Sequence, residues 1–157
     1  IVNLFHRELG FLTAPGNPLQ IGGFADLADS RVRLINRQPG SGTRVLLDYH
    51  LEKLGIPEEK IQGYDCHVYT HYEVGLSIVS GEADVGIATA AVSDILGLPF
   101  IPITRECFDM VLSRETYFEK SVQAFMEVLN SSDFQNRVGK LGRYDFSHAS
   151  KIVYTAT

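Results

Sequence analysis

The run Asn36-Arg37-Gln38-Pro39-Gly40-Ser41-Gly42-Thr43-Arg44 gathers the groups best suited to hold a small charged ligand. Gly40 and Gly42 let the backbone approach a bound molecule closely, Ser41 and Thr43 offer hydroxyl donors, and Arg37 and Arg44 supply local positive charge. If a helix starts here, its free N–H groups and the positive end of its dipole favour an anion. This is not a nucleotide-hydrolysing phosphate loop, because Thr43 stands where a Lys should follow the last glycine and the spacing differs. The plainer alternative is a tight turn at Gly40 and Gly42, with Thr43 capping the helix.

A second concentration of reactive groups is Tyr64-Asp65-Cys66-His67-Val68-Tyr69-Thr70-His71. Thiol and imidazole at close spacing suit zinc, yet no second cysteine pair or ligand run completes a tetrahedral set. Cys66 as a nucleophile with His71 as its base lacks an orienting carboxylate in sequence register. Thr70 is therefore expected to cap a helix, and His71 to form a polar wall of a cleft. Asp84 could act as an acid, but a carboxylate at the edge of a buried strand more often bonds backbone or an Arg. His6-Arg7-Glu8 reads either as a charged strand end or as part of a second ligand wall.

These groups need elements to position them. Arg33 to Asn36 reads as a short strand running into the glycine turn. A helix follows, with Leu47, Leu51 and Leu54 on one face and Gly55 and Pro57 at its end. Residues 70–80 repeat the pattern, with Thr70 as N-cap, Val74 and Ile78 inward and Gly81 as terminator. A buried strand over 83–87 and a helix over 89–96 ending at Gly97 come next. Residues 1–12 alternate imperfectly around Gly10 and suggest two strands with a bend, after which Ala14-Pro15-Gly16-Asn17-Pro18 forces a turn. Residues 24–28 fit one or two helical turns. Residues 100–103 and 108–113 read as two further apolar runs. Phe118, Val122, Phe125 and Leu129 stand at helical spacing, and a last short helix starts at Ser131-Ser132 with Asp133 in its first turn. Strands alternating with helices imply a mainly parallel, helix-covered sheet.

Composition bounds what such a fold does. The chain of 157 residues is long enough to bury a real core. A formal charge of -5 argues against direct nucleic-acid contact, so any anion site must be local. No apolar run reaches the roughly 20 residues that cross a bilayer. Cys66 and Cys107, far apart, are expected to be reduced thiols, which suits a cytoplasmic address, although a periplasmic one stays open. The chain begins at Ile1 without a signal-type segment and reads as a mature or excised piece.

Residues 34–48, from Leu34-Ile35-Asn36-Arg37-Gln38 through Leu47-Asp48, resemble a periplasmic-binding-protein-like domain of the molybdate-binding kind. That domain occurs fused to MoeA-type molybdopterin biosynthesis proteins or to helix-turn-helix regulators. The resemblance extends through His6-Arg7-Glu8-Leu9-Gly10, Pro15-Gly16-Asn17-Pro18, Gly63-Tyr64, Thr70-His71, Ser80-Gly81-Glu82-Ala83-Asp84 and Gly142-Arg143-Tyr144-Asp145. Cys66-His67-Val68 departs from the charged residues usual there.

The resemblance implies an α/β fold of the type II periplasmic-binding-protein kind, two lobes with mainly parallel sheets. Residues 1–30 and 101–157 would form the first lobe, N-terminally incomplete, and residues 33–98 the second. It further implies a binding or sensing domain for a molybdate- or tungstate-like oxyanion linked to molybdenum cofactor biosynthesis, without a cofactor or metal of its own and not an enzyme. Arg37, Gly40, Ser41, Gly42, Thr43, Arg44, Thr70 and His71 would touch the ligand. A fused partner domain and a homodimer fit this picture. The alternative is an effector-binding domain of a LysR-like regulator that takes a small organic acid.

Overall fold

A computed structural model describes residues 1–155 as a mixed α/β protein. Two compact units are evident, one made of residues 1–8 with 105–157 and one of residues 9–104.

In the unit of residues 9–104, three strands form a parallel ladder. They are β2 (Leu34–Arg37), β3 (His67–Val68) and β4 (Val85–Thr89), in the order β3-β2-β4. The register sets Arg37 against Val68 and Leu34 against Val85. The long first strand β1 (Val2–Thr13) adds its second half antiparallel to β4, Leu9 facing Thr89, and β5 (Phe100–Met110) follows on its other side.

Helix α1 (Gly42–Leu54) covers one face of this sheet, where Leu47 and Leu51 pack with Leu9, Phe11, Leu34, Val85 and Ile87. Helices α2 (His71–Val79) and α3 (Ala90–Leu96) cover the other, where Val74, Ile78 and Val92 meet Leu12, Ile35 and Ala88. A parallel ladder buried on both faces explains why β4 is apolar or small throughout rather than alternating.

In the unit of residues 1–8 with 105–157, β6 (Tyr144–Asp145) pairs antiparallel with β1, Arg7 opposite Tyr144. Helices α4 (Arg114–Tyr117), α5 (Lys120–Asn130) and α6 (Ser132–Gly139) complete it. Its core gathers Val2, Met126, Leu129 and Ala149, with Leu4, Met110, Phe134 and Phe146 around them.

Three local expectations are corrected. Gly10 does not divide the segment into two strands, and β1 continues through it. A Cβ there would lie 2.3 Å from the Ile101 carbonyl oxygen and 2.6 Å from the Phe100 ring, so the glycine serves a close approach. The runs at 100–103 and 108–113 are not separate, since β5 continues from 100 to 110. The charged residues between them belong to the strand, with Arg105 paired to Asp145 and Glu106 to Arg7. Phe118 lies outside α5 and caps α4 instead, leaving its ring exposed.

The α/β order, the helix over 70–80 and the glycine helix ends match expectation. Gly55 and Gly97 both adopt left-handed conformations at the C-caps of α1 and α3.

Candidate functional site

The glycine turn lies where strand β2 gives way to α1, at the carboxyl edge of the parallel ladder. Ser41, not Thr43, is the N-cap of α1, and its Oγ accepts from the Arg44 N–H at 3.1 Å. Thr43 instead stands in the first turn, buried. The earliest helical hydrogen bond runs from the Val45 N–H to the Ser41 carbonyl at 3.0 Å. The Gly42 and Thr43 N–H groups precede that ladder, as the first donors of every helix do, and the first turn of α1 holds no acidic side chain. Gly40 takes φ 84°, which closes the turn, and a Cβ on Gly40 or Gly42 would meet no atom within 4 Å.

A neighbouring helix starts beside it. The β2–β3 register brings the Gln38 N–H to the Val68 carbonyl at 3.1 Å, and the Arg37 Nη2 donates to the Tyr69 carbonyl at 2.8 Å. Arg37 therefore bridges the glycine turn and the approach to α2. Thr70 caps α2 through a reciprocal arrangement, its Oγ1 accepting from the Glu73 N–H at 3.1 Å. Glu73 Oε2 in return accepts from the Thr70 N–H at 2.7 Å, the Tyr69 N–H at 3.0 Å and the Thr70 hydroxyl at 2.9 Å. The Thr70 hydroxyl and N–H hold the Glu73 carboxyl below its ordinary pKa, aided by the charge of Arg37.

The structure thus brings Arg37, Gly40, Ser41, Gly42 and Thr43 together at one strand end. Thr70 and His71 stand next to them at the start of α2, but the Thr70 hydroxyl is committed to Glu73. Arg44 points elsewhere. Its guanidinium packs 3.7 Å from the Tyr64 ring centre, with Nε donating to Asp48 at 2.9 Å and Nη1 to the Tyr64 carbonyl at 3.2 Å. Burial opposes the Arg44 charge, and the bonds to Tyr64 and Asp48 outweigh it, so its pKa is raised. Asn36 Nδ2 donates to the same Tyr64 carbonyl at 3.0 Å, tying the end of β2 into this cluster.

Asp84 takes the plainer of its two roles. Its carboxylate accepts from the Arg33 N–H and Nε, both at 2.9 Å, and from Arg33 Nη2 at 2.8 Å. His6-Arg7-Glu8 lies within β1, with Arg7 bound to Glu106 at 2.7 Å and Glu8 to Arg143 at 3.0 Å. Cys66 is exposed, and among the described residues no three His, Cys, Asp or Glu side chains are grouped to hold a metal ion.

Two contributors escaped the sequence reading. Glu73 was legible as the last member of Thr70-His71-Tyr72-Glu73, the capping-box spacing. Tyr64 had no such signal, because its ring meets Arg44 only after the strand crossing is made.

Residues 1–130 match the PBP superfamily domain. The uncharacterized protein YvgK of Bacillus subtilis (strain 168) is 34% identical over 153 residues, covering 98% of this chain and 49% of that protein. This chain therefore spans about half the length of that relative. Among solved structures, PEB3 with bound L-phospholactate aligns with a TM-score of 0.59 at 21% identity, over 91% of this chain and 67% of that one. PEB3 comes from Campylobacter jejuni. A substrate-binding domain ascribed to a molybdenum ABC transporter of Clostridium difficile aligns with a TM-score of 0.54 at 20% identity, over 91% and 65%. At such identities the structural likeness establishes the fold, that of type II periplasmic binding proteins.

Proposed function

The chain belongs to the PBP superfamily, and from that premise we propose that its turn from Gly40 to Thr43 captures a small anion, as a binding domain and not as an enzyme. One observation carries this reading: α1 opens at the carboxyl end of a parallel strand with no acidic side chain in its first turn. Ligands of open α/β sheets bind at such ends, and a helix start with free N–H groups suits a tetrahedral oxyanion. Arg37 adds positive charge beside it.

Molybdate or tungstate is the ligand class we favour. The sequence resemblance supports it, as does the likeness to the domain ascribed to a molybdenum transporter. A role in molybdenum cofactor biosynthesis, through a fused MoeA-type protein or a regulator, rests on the resemblance alone. A small organic acid is the second reading, favoured by the likeness to PEB3 holding L-phospholactate.

Thermal unfolding with molybdate, tungstate, sulfate, phosphate and L-phospholactate tests both readings. A ligand at a hundredfold excess over its dissociation constant should stabilise the native state by about 2.7 kcal/mol. Stabilisation by molybdate and tungstate above the others supports the favoured class, and preference for L-phospholactate supports the second. No stabilisation by any of them overturns anion capture.

A further inference from the structure

Helix α2 packs inward with Val74, Gly75, Ser77 and Ile78, all buried. The outward side of such a helix is ordinarily polar, as on α1, where Glu52 and Lys53 are exposed. On α2 it is apolar: Tyr72, Leu76 and Val79, at i, i+4 and i+7, form one stripe and are 46%, 42% and 57% exposed. Tyr69, just ahead of the helix, is 66% exposed, and Ile95 on α3 is 57% exposed. A Cβ on Gly75 would lie 2.5 Å from the Leu96 side chain and 2.7 Å from that of Val92, so α3 lies tightly alongside α2, which brings Ile95 to the flank of the stripe.

We propose that this stripe is the surface through which two copies of the chain pair, about a two-fold axis passing Leu76. Tyr72 stands four residues before Leu76 and Val79 three after it. An antiparallel pairing of two α2 helices therefore sets Leu76 against its own copy and each Tyr72 near the partner's Val79, a large ring facing a small side chain on either side of the axis. The five exposed side chains leave roughly 500 Å² of largely apolar surface. A standard interface takes about 800 Å² from each partner, and about 65% of it is apolar in homodimers. The patch thus supplies the apolar part that a stable dimer needs.

Charge selects the occupant. A chain of formal charge -5 repels its own copy over much of its surface, and an uncharged stripe is where two copies approach without that cost. Glu73, the one carboxylate of α2, turns back to its own helix start, where it accepts from the Tyr69 and Thr70 N–H groups. Asp94, exposed on α3, gives the patch a polar rim. A membrane surface is the poorer occupant, because neither α2 nor α3 carries the Lys or Arg that membrane-surface helices use.

Sedimentation velocity of the whole chain across the micromolar range tests this. Wild type should sediment as a dimer at the upper end. Leu76→Glu, which sets two carboxylates face to face at the axis, should weaken pairing by about hundredfold. Leu76→Lys should do the same, and an equimolar mixture of the two charged variants should recover the dimer, because the axis then holds one charge of each sign. Leu76→Cys in a Cys66→Ser, Cys107→Ser background should cross-link to its copy under mild oxidation, a readout that does not depend on tolerance of a charge. Val45→Glu, at an exposed position of α1 outside the stripe, should leave the dimer intact. A wild type that stays monomeric throughout overturns the proposal, and pelleting of that monomer with phosphatidylglycerol vesicles would make the stripe a membrane face instead. A dimer that survives Leu76→Glu, or a Leu76→Cys dimer that does not cross-link, overturns it as well, as does failure of the two charged variants to pair with each other.

Discussion

The guanidinium of Arg44 lies 3.7 Å from the centre of the Tyr64 ring and is held there by Asp48, which bonds both Arg44 Nε and the Tyr64 hydroxyl at 2.9 Å. A flat, delocalised cation fits this stacked, forked setting and an ammonium does not. Arg44→Lys should therefore destabilise the fold by about 1 to 3 kcal/mol despite keeping the charge. Urea unfolding of the two proteins checks this, and an unchanged midpoint would show that the cluster does not anchor α1.

The same cluster sets an alkaline limit on stability. Burial pushes the Tyr64 phenol up to about 12, above the value of about 10 expected in an unfolded chain. The folded state thus holds this proton more tightly, and the linked stability is intact below about pH 10 and declines as pH rises toward 12. Tyr64→Phe should flatten that decline, as read from unfolding midpoints across the alkaline range.

Asp84 acts at the acid end. The side-chain bonds from Arg33 hold its carboxyl below the ordinary range. A depressed carboxyl contributes stability above its unfolded value of about 3.9, and that contribution is lost as pH falls through the lower folded value. Asp84→Asn should reduce stability at neutral pH and weaken its dependence on pH below about 4. Parallel curves for the two proteins would show the Arg33 pairing to be inert.

Ser41 caps α1, the proposed function also makes its hydroxyl a donor to the ligand, and two substitutions separate these roles. Ser41→Ala should cost about 1 kcal/mol of ligand-free stability, while Ser41→Gly should cost only a few tenths. Both lack the hydroxyl, so both should lose anion affinity to a similar extent, roughly 1.5 to 3 kcal/mol if the hydroxyl bonds the charged ligand. Calorimetry with and without molybdate distinguishes the effects.

The thiols Cys66 and Cys107 are exposed and unbridged. Both should react with a disulfide reagent in the native state, and protein purified without chelator should contain no stoichiometric zinc. The bond to Asp109 pushes the Cys107 thiol up, so it should react more slowly than Cys66 at neutral pH. A zinc signal lost with Cys66→Ser would overturn the expectation that this segment binds no metal.

Local chemistry made much of this protein readable from its residues in order. Gly55, Thr70, Gly81 and Gly97 end or cap helices because their conformational and hydrogen-bonding preferences act within a few residues, and the alternation of strand and helix follows from apolar spacing. The glycine turn between β2 and α1 was legible for the same reason. What only the tertiary structure decided depends on partners distant in sequence. Gly10 looked like the divide between two strands until Phe100 and Ile101 were placed against it. Residues 104–107 looked like a break until Arg7 and Asp145 paired with their charges. Arg44 looked like a ligand donor until Tyr64, brought alongside through strand pairing, offered it a ring and a carbonyl. A guanidinium binds whichever acceptors the fold places within reach, and sequence spacing carries no record of those.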